Sequence, residues 1–342
     1  MAKRVQISSD DTTYYTLPGN SGEFRNEAGE LDDTIFGQDY KSSEAGLISW
    51  TVQANAVYKG FAGYQVDIKK SGSATGFTTE ACTLVSGKTY KITDTTKNVW
   101  DRTASFTIFD GGVDKTAFVE SIDYLMGRVT FLSSYTVTGA VTVTGSSLAM
   151  TVLASYRNFT LTQTLDPIDN TDIPTAQANS GHRTFSAGLK TVSMEVSGVY
   201  ASSNAYRTAL VARTEVIIEI NPNGSGDSIA RGFFKYVGTG QSGNVGALEE
   251  ETVSFRLQVP TTSLLYRPFS WVYGASTTLS TAVQKALDAF LAGSSVYVKY
   301  LADGSTGAKG AAVITDVTLS GGLDGMNEFS VNFQGSGALT TI

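Results

Sequence analysis

The chain has 342 residues, a net charge of −7 and a low charged fraction of 17%. This acidic balance argues against a protein that binds the DNA backbone by neutralising phosphates, because such binding needs a basic face. The chain contains one cysteine, Cys82, and one histidine, His182. These counts exclude an intrachain disulfide and any metal site built from several Cys or His ligands.

No targeting signal is recognised in the N-terminal residues. Met1–Arg4 is followed by polar residues rather than by the apolar core of a signal peptide. No stretch approaches the roughly 18 apolar residues that a membrane-spanning helix needs. We therefore expect a soluble protein that is made inside the cell and has no membrane partner. The length predicts two or three domains, and the many Thr residues favour β-structure.

Two segments near the start and the middle of the chain resemble each other. Ala45–Leu47 opens the first segment, and the same tripeptide returns 142 positions later as Ala187–Leu189. Upstream, Leu31–Thr34 resembles Ile168–Thr171, at an offset of 137. We call these two regions the front segments.

A second resemblance lies towards the C-terminus, in regions that we call the back segments. Glu215–Ile220 resembles Ser295–Tyr300 at an offset of 80, and Thr252–Leu257 resembles Glu328–Phe333 at an offset of 76. The chain thus contains a front segment, an insert, a second front segment and two back segments. The first front segment pairs either with the last back segment or with strands inside the insert, and the sequence leaves both arrangements open.

These repeats predict four parts of the chain. Residues 1–60 form the front part of domain A, and residues 151–261 form a complete domain B. Residues 262–342 supply a back part, which we assign to domain A. Residues 61–150 contain short strand-like runs separated by turn signals, which predict an inserted small β-sandwich or barrel domain.

The repeated segments alternate between apolar and polar residues, which predicts half-buried strands. The predicted apolar rows are Trp50, Val52, Ala54, Ala56; Val192, Met194, Val196; Val253, Phe255, Leu257, Val259; and Phe329, Val331, Phe333. The predicted polar rows are Ser49, Thr51, Gln53, Asn55; Thr191, Ser193, Glu195, Ser197; Thr252, Ser254, Arg256, Gln258; and Glu328, Ser330, Asn332, Gln334.

Helix is predicted at two places, one before each back segment. The spacing of apolar residues predicts a helix over Thr281–Ala292, capped by Ser280 or Thr281 and ended by Gly293. The matching helix of the other copy is predicted over residues 204–212. One helix against the apolar face of a sheet would give each unit a core.

The residues that commonly carry chemistry do not form a catalytic pattern. His182 lies in a loop-like stretch and is interpreted as a solvated loop histidine. Cys82 lies in an apolar, strand-like context, which favours a buried structural thiol over a nucleophile. We predict no catalytic residues and no cofactor.

Two acidic clusters have simple structural interpretations. Asp166, Asp169 and Asp172 follow one another at intervals of three, which does not fit a Ca²⁺ loop and is typical of turns. Glu249–Glu251 is interpreted as a solvated charge run. We therefore predict no metal site.

Both ends of the chain resemble one family. Leu31–Gly37, followed by Ala45–Leu47 and the strand at Trp50, resembles the start of the major tail tube proteins of long, non-contractile (siphovirus-type) phage tails. Lys309–Ser320 and Glu328–Gly337 resemble the end of that family. The insert is a departure, because it is not part of the minimal tube domain.

The resemblance implies a mainly β fold with two tandem or nested tail-tube β-sandwich domains, each with a short flanking helix, plus the small inserted domain. In this family six tube domains close a ring around a barrel, and rings stack into the channel for DNA ejection. Three copies of a chain with two such domains would therefore give a pseudo-sixfold ring. The implied partners are the chain itself, the tape measure protein, the tail tip and terminator proteins, and DNA in transit. The implied location is the virion, after assembly in the host cytoplasm.

The resemblance also assigns surfaces. The polar rows given above are candidates for the channel wall, since neutral hydroxyl and amide groups wet a channel without gripping DNA, and a net negative charge repels phosphate. An outer, solvated sheet is the alternative for each row. Arg256 does not fit that pattern, and a carboxylate of a neighbouring subunit is one candidate partner for it. The ring-to-ring contact maps to two loops, and its candidate residues are Phe36, Gln38, Asp39, Tyr40, Asp172, Thr175, His182 and Arg183.

Other classes remain open at this stage. A secreted adhesin would share the Thr-rich strands but would carry a signal sequence. A hydrolase would need two converging carboxylates in a cleft. A tail terminator or baseplate protein is an alternative within the virion.

Overall fold

The computed structural model describes residues 3–34, 41–58, 65–199, 204–221, 230–242, 249–259, 267–271, 280–322 and 327–342. In these ranges the chain is mainly β, with antiparallel pairing wherever a register is defined and three short α-helices. The predicted mainly β fold class is confirmed. None of the described helices has the length and apolarity needed to cross a membrane.

The first six strands are β1 (Arg4–Ser8), β2 (Tyr15–Thr16), β3 (Gly19–Asp32), β4 (Ser43–Tyr58), β5 (Gln65–Ser86) and β6 (Thr89–Ile92). The next strands are β7 (Thr107–Asp110), β8 (Val113–Asp114), β9 (Val119–Asp123), β10 (Arg128–Phe131), β11 (Val141–Tyr156), β12 (Asn158–Asp169) and β13 (Phe185–Val199). The last strands are β14 (Val216–Asn221), β15 (Ala230–Ser242), β16 (Glu250–Leu257), β17 (Phe269–Trp271), β18 (Val296–Leu301), β19 (Gly307–Gly322), β20 (Asn327–Gly335) and β21 (Thr340–Thr341).

The helices are α1 (Ile173–Ala178), α2 (Asn204–Val211) and α3 (Thr281–Ala292). The prediction for α3 is confirmed at both ends. The Ser280 hydroxyl accepts a hydrogen bond from the backbone N–H of Val283 at 3.4 Å, and Gly293 ends the helix with a φ of 68°, a left-handed conformation that suits glycine. The prediction for α2 is confirmed to within one residue.

The chain divides into two compact units. The first unit comprises Met1–Phe61, Thr160–Ser193 and Thr278–Ile342, and the second comprises Ala62–Phe159 and Met194–Thr277. Neither unit is continuous in sequence, because the chain leaves and re-enters each of them. The predicted boundaries at residues 61, 151 and 262 remain predictions.

In the first unit, β3, β4, β20, β19, β18, β1 and β2 pair in that order. Thus β4, from the first front segment, pairs with β20, from the last back segment. Alternation places both side chains of every second pair in the core: Ala54 lies opposite Val331, and Val52 lies opposite Phe333. All four of these side chains are buried, and α3 packs against β19 and β1 of the same sheet.

In the second unit, β16, β15, β14, β5 and β11 pair in that order, with β17 on the start of β15. The far end of β5 also pairs with β6, which continues through β10 to β9. These strands and β7 surround a small apolar core that includes Trp100, Ile108 and Phe131. Barrel closure is not found among the described strands.

One side-chain contact recurs at matching positions of the two front hairpins, which defines equivalent positions. In β3 and β4, the Asn55 amide donates to the Ser21 hydroxyl at 3.1 Å. In β12 and β13, the Asn158 amide donates to the Ser197 hydroxyl at 3.5 Å. Ser21 corresponds to Asn158 at the offset of 137, and Asn55 corresponds to Ser197 at the offset of 142. The Asn and the Ser of the pair have therefore changed places between the two strands. Thus β3 is equivalent to β12, and β4 is equivalent to β13.

The back strands also match, but one predicted offset is wrong. Tyr236 lies opposite Phe255 just before an irregularity in β15, and Ile314 lies opposite Phe333 just before an irregularity in β19. Both partners are therefore shifted by 78 residues, not by the 76 that the sequence of β16 and β20 suggested. A two-residue shift keeps every side chain on the same face, so alternation alone does not detect it.

The apolar rows are confirmed with one correction. Leu257 ends β16 and is only half-buried, and Val259 lies beyond the strand with 59% of its surface exposed. The predicted row continues to Val259, past the end of β16, where strand pairing no longer fixes the side-chain direction. The other members of the four rows are buried.

Candidate assembly and channel surfaces

Two of the predicted polar rows lie together on one face of the first unit. Asn55 of β4 lies opposite both Ser21 of β3 and Ser330 of β20, and Ser330 lies opposite Thr318 of β19. We call this surface the polar face. Its members are Ser21, Glu23, Arg25, Thr51, Gln53, Asn55, Asp316, Thr318, Ser330, Asn332 and Gln334. The residues from β3 and β19 were not recognised from the sequence, because β3 shows no strict alternation.

The polar face carries few charges, and those on β3 are paired. Arg25 Nε lies 2.6 Å from Glu23 Oε1 at an exposed position. Burial raises the pKa of Asp316, against a hydrogen bond from Thr318 that lowers it. A cleft of about 340 Å³ opens on this face, and Glu23 is the one carboxylate among its described lining residues.

The other two predicted polar rows belong to β13 and β16, which pair with each other. Thr191, Glu195 and Arg256 are exposed, and the remaining members are half-buried. Arg256 lies opposite Lys235 of β15, so two cations occupy neighbouring positions on adjacent strands. The equivalent positions in the first unit, Gln334 and Val313, are uncharged.

Apolar side chains are exposed at equivalent positions of the two front hairpins. Leu31 and Leu47, of β3 and β4, are 59% and 38% exposed. Their equivalents Ile168 and Leu189, of β12 and β13, are 55% and 83% exposed. Their matching exposure makes these side chains candidates for a contact surface. We call these four residues the hairpin leucine set, although one member is isoleucine.

The glycine of the repeated tripeptide has a local structural reason. A β-carbon on Gly46 would lie 3.1 Å from the Gly29 carbonyl oxygen, and one on Gly188 would lie 2.2 Å from the Asp166 carbonyl oxygen. At Gly188 the neighbouring strand is therefore too close for a side chain, and at Gly46 a side chain would require the neighbouring strand to shift by a few tenths of an ångström. The tripeptide thus combines a close strand approach with an exposed leucine.

Four of the candidates for the ring-to-ring contact lie in the first unit, between β12 and β13 or at the edge of β13. The Asp172 carboxylate caps α1 by accepting from the backbone N–H of Thr175 at 2.7 Å. Arg183 Nη1 lies 3.1 Å from the Asp169 carboxylate, and the Arg183 backbone N–H donates to the Ile48 carbonyl. Phe36, Gln38, Asp39 and Tyr40 lie outside the described residues.

His182 contradicts its sequence interpretation. It is buried, with 9% of its surface exposed, and its Nδ1 lies 2.8 Å from the Asn179 carbonyl oxygen. Its backbone forms a bridge with Ile48 of β4. The loop is therefore packed against the sheet, a tertiary contact that local sequence does not reveal.

The predicted solvated charge run is also corrected. Glu251 is 1% exposed, and its carboxylate accepts from the Tyr156 hydroxyl at 3.2 Å. Tyr156 in turn lies 2.5 Å from the Tyr206 hydroxyl, and Arg207 Nη2 lies 3.7 Å from Glu251. Burial is the largest cause that raises the pKa of both tyrosines, so the hydroxyls remain protonated donors. Glu251 occupies the position equivalent to the buried Phe329, which explains why it faces inward.

The remaining candidate groups are structural. Cys82 is half-buried against the small core of the second unit, and burial raises the pKa of its thiol to about 12. Asp169 accepts from the backbone N–H of Thr171 at 3.0 Å, as expected for a turn. Within the described ranges, no three His, Cys, Asp or Glu side chains converge to hold a metal ion.

No protein-family model matches the sequence, and comparison with curated proteins finds no match. Among solved structures, the chain is similar to one from the tail of an empty GTA particle with C6 symmetry, at 14% identity and a TM-score of 0.29. That similarity covers 36% of this chain and 87% of the other. A chain from the virion of a native gene transfer agent is similar at 13% identity and a TM-score of 0.29, covering 36% of this chain and 89% of the other.

Proposed function

We propose that the protein is a structural, non-enzymatic virion component that assembles into stacked rings and forms the tube of a phage-type tail. The observation that carries the proposal is a repeated strand order: β4, β20, β19 and β18 pair in the same order as β13, β16, β15 and β14, and each front hairpin has exposed apolar residues. A duplicated unit suits a ring in which three chains supply six similar positions.

The polar face is the proposed channel wall, together with the polar rows of β13 and β16. Hydroxyl and amide groups in register across four strands give a wettable surface with little net charge. Weak attraction is what a DNA channel requires, because counterion release at a basic surface would hold the duplex in place. Lys235 and Arg256, which lie opposite each other, are cationic exceptions.

The hairpin leucine set is the proposed contact between rings. Burial of an exposed leucine stabilises an interface by roughly 1.5–3 kcal/mol, and a ring of three chains would present twelve such side chains. Asp172, Thr175, His182 and Arg183 hold the neighbouring segment in place in the first unit and are proposed to support this contact. The tape measure, tip and terminator proteins remain proposed partners.

Electron microscopy of the purified chain over a range of concentrations tests the proposal. Hollow tubes or rings with six lobes are the expected result, and analytical ultracentrifugation should show discrete multiples of three chains. A chain that stays monomeric at all concentrations, alone and with tail-tip extract, would contradict the proposal. Glycan arrays and hydrolase assays on the same preparation test the adhesin and hydrolase alternatives.

A further inference from the structure

We infer that the outer edge of β3 pairs with the outer edge of β15 in a second copy of the chain. The inference rests on the proposed ring assembly and specifies the interface that closes the ring. It follows from a strand pairing that already exists inside one chain, between β12 and β19.

The place of β12 on β19 is fixed by the other partners of β19. Ala312 lies opposite Val296 of β18 and opposite Gly335 of β20, so β18 and β20 occupy opposite edges. β18 pairs with one edge of β19 only as far as Ala312. β20 pairs with the opposite edge of β19 from Ala312 to Ser320. Therefore β12 pairs along the edge that β18 leaves open.

The second repeat within the same chain has the equivalent open edge on β15. Phe234 lies opposite Val216 of β14 and opposite Leu257 of β16. Beyond Phe234, residues 235–242 pair with β16 on one edge, and no described strand pairs with them on the other. This edge of β15 is equivalent to the edge of β19 that β12 occupies.

The strand equivalent to β12 is β3, and it too has an open edge. Along Gly19–Asp32, β3 pairs with β4, and no second strand pairs with it in the described parts of the chain. In β12, Leu161 and Gln163 are fully buried. Their equivalents in β3 are Phe24, which is half-buried, and Asn26, which is exposed.

A long open strand edge invites pairing with another chain. Here the two open edges belong to strands that are equivalent to an internal pair, so a second copy of the chain is the occupant that fits. Their exposed residues are mostly polar or small, as Asn26, Ala28, Thr239 and Gln241 are.

Charge supports the same pairing. The exposed charges of β3 are net negative, with Glu23, Glu27, Glu30 and Asp32 against Arg25. On or beside β15, Lys235 and Arg256 are exposed cations, and Glu250 is exposed opposite the far end of the strand. Opposite charges on the two edges favour encounter in the correct orientation. Because each chain has one edge of each kind, the contact is head-to-tail, and repetition closes a ring where the rotation allows it.

The test uses cysteine pairs and a short bifunctional maleimide in a Cys82→Ala background. A chain with Asn26→Cys is mixed with a chain carrying Thr239→Cys or Gln241→Cys, so that only the inferred interface yields covalent dimers. The control replaces Asn26→Cys by Ser295→Cys, which is also exposed but lies before β18. Two separate β15 positions guard against one variant that fails to fold.

We expect cross-linked dimers from both β15 variants and only background from the control, with a covalent closed oligomer when both cysteines are in one chain. Tubes by microscopy without this cross-link would overturn the inference and leave the proposed function standing. Cross-linked rings without tubes would support the inference while contradicting the tube. Monomers without cross-links would overturn both.

Discussion

The indole of Trp50 lies against the backbone of Gly335. A β-carbon on Gly335 would lie 2.0 Å from Cε2 of Trp50, and the Trp50 Nε1–H donates to the Gly337 carbonyl oxygen at 3.0 Å. A β-carbon on Gly310 would also lie 2.6 Å from the same indole. The buried side chain of Trp50 thus joins the first front segment to the last back segment.

Gly335→Ala is expected to destabilise the first unit by roughly 1–3 kcal/mol, because the indole must move in a packed core. Urea denaturation of the unassembled chain, followed by tryptophan fluorescence, measures the loss. Gly29→Ala is the control, since its β-carbon would meet only ordinary contacts at 3.6 Å and beyond. Equal effects of the two substitutions would contradict the packing argument.

Glu219→Gln is expected to destabilise the second unit by about 3–5 kcal/mol, the usual cost of breaking a buried ion pair. Glu219 is 5% exposed, and its two oxygens lie 2.7 Å from Lys69 Nζ and 2.6 Å from Arg231 Nε. Thermal unfolding measures the effect. The control Glu23→Gln breaks an exposed pair with Arg25 and should cost less than about 1 kcal/mol.

The same cluster predicts a pH dependence. Burial raises the pKa of Glu219, but Arg231 and Lys69 together outweigh it, and the net pKa is lowered. A lowered pKa stabilises the folded state above the ordinary glutamate value of about 4.3, and that contribution is lost as pH falls through the folded pKa. The stability difference between the wild type and Glu219→Gln should therefore shrink below about pH 4.3. A difference that stays constant down to acid unfolding would contradict this sign.

Leu47→Ser combined with Leu189→Ser is expected to abolish tubes while leaving rings, because the hairpin leucine set is proposed to act between rings only. Negative-stain microscopy and sedimentation distinguish the two species. Val211→Ser is a matched control, since Val211 is 85% exposed at the end of α2. Loss of rings as well as tubes would place these leucines in the ring contact instead.

Lys235→Glu combined with Arg256→Glu is expected to weaken ring formation by placing like charges at the inferred β3–β15 interface. Adding Glu23→Lys and Glu27→Lys should restore it, because the charges are then exchanged rather than matched. Sedimentation velocity at low salt measures both steps. The effect should fade at 1 M salt, where screening acts over about 3 Å. If the variant with all four charges swapped does not form rings, electrostatic attraction does not contribute to the inferred β3–β15 interface.

Local patterns of the sequence were reliable where the physical cause is local. The helix over Thr281–Ala292 follows from its apolar spacing and its caps, and the buried rows of β4, β13 and β20 follow from alternation. By contrast, β3 has weak alternation because most of its side chains are exposed. Its role as a partner of β4 became clear only from the register.

The sequence by itself determined the mainly β class, the duplication and the faces of the repeated strands, because these depend on neighbouring residues. The tertiary structure decided that β4 pairs with β20, that β16 and β20 match at an offset of 78 residues, and that Glu251 and His182 are buried. A period of two identifies a face but not a partner, and a two-residue shift leaves the face unchanged. Contacts between residues as distant as Trp50 and Gly335 are therefore fixed only when the whole sheet packs.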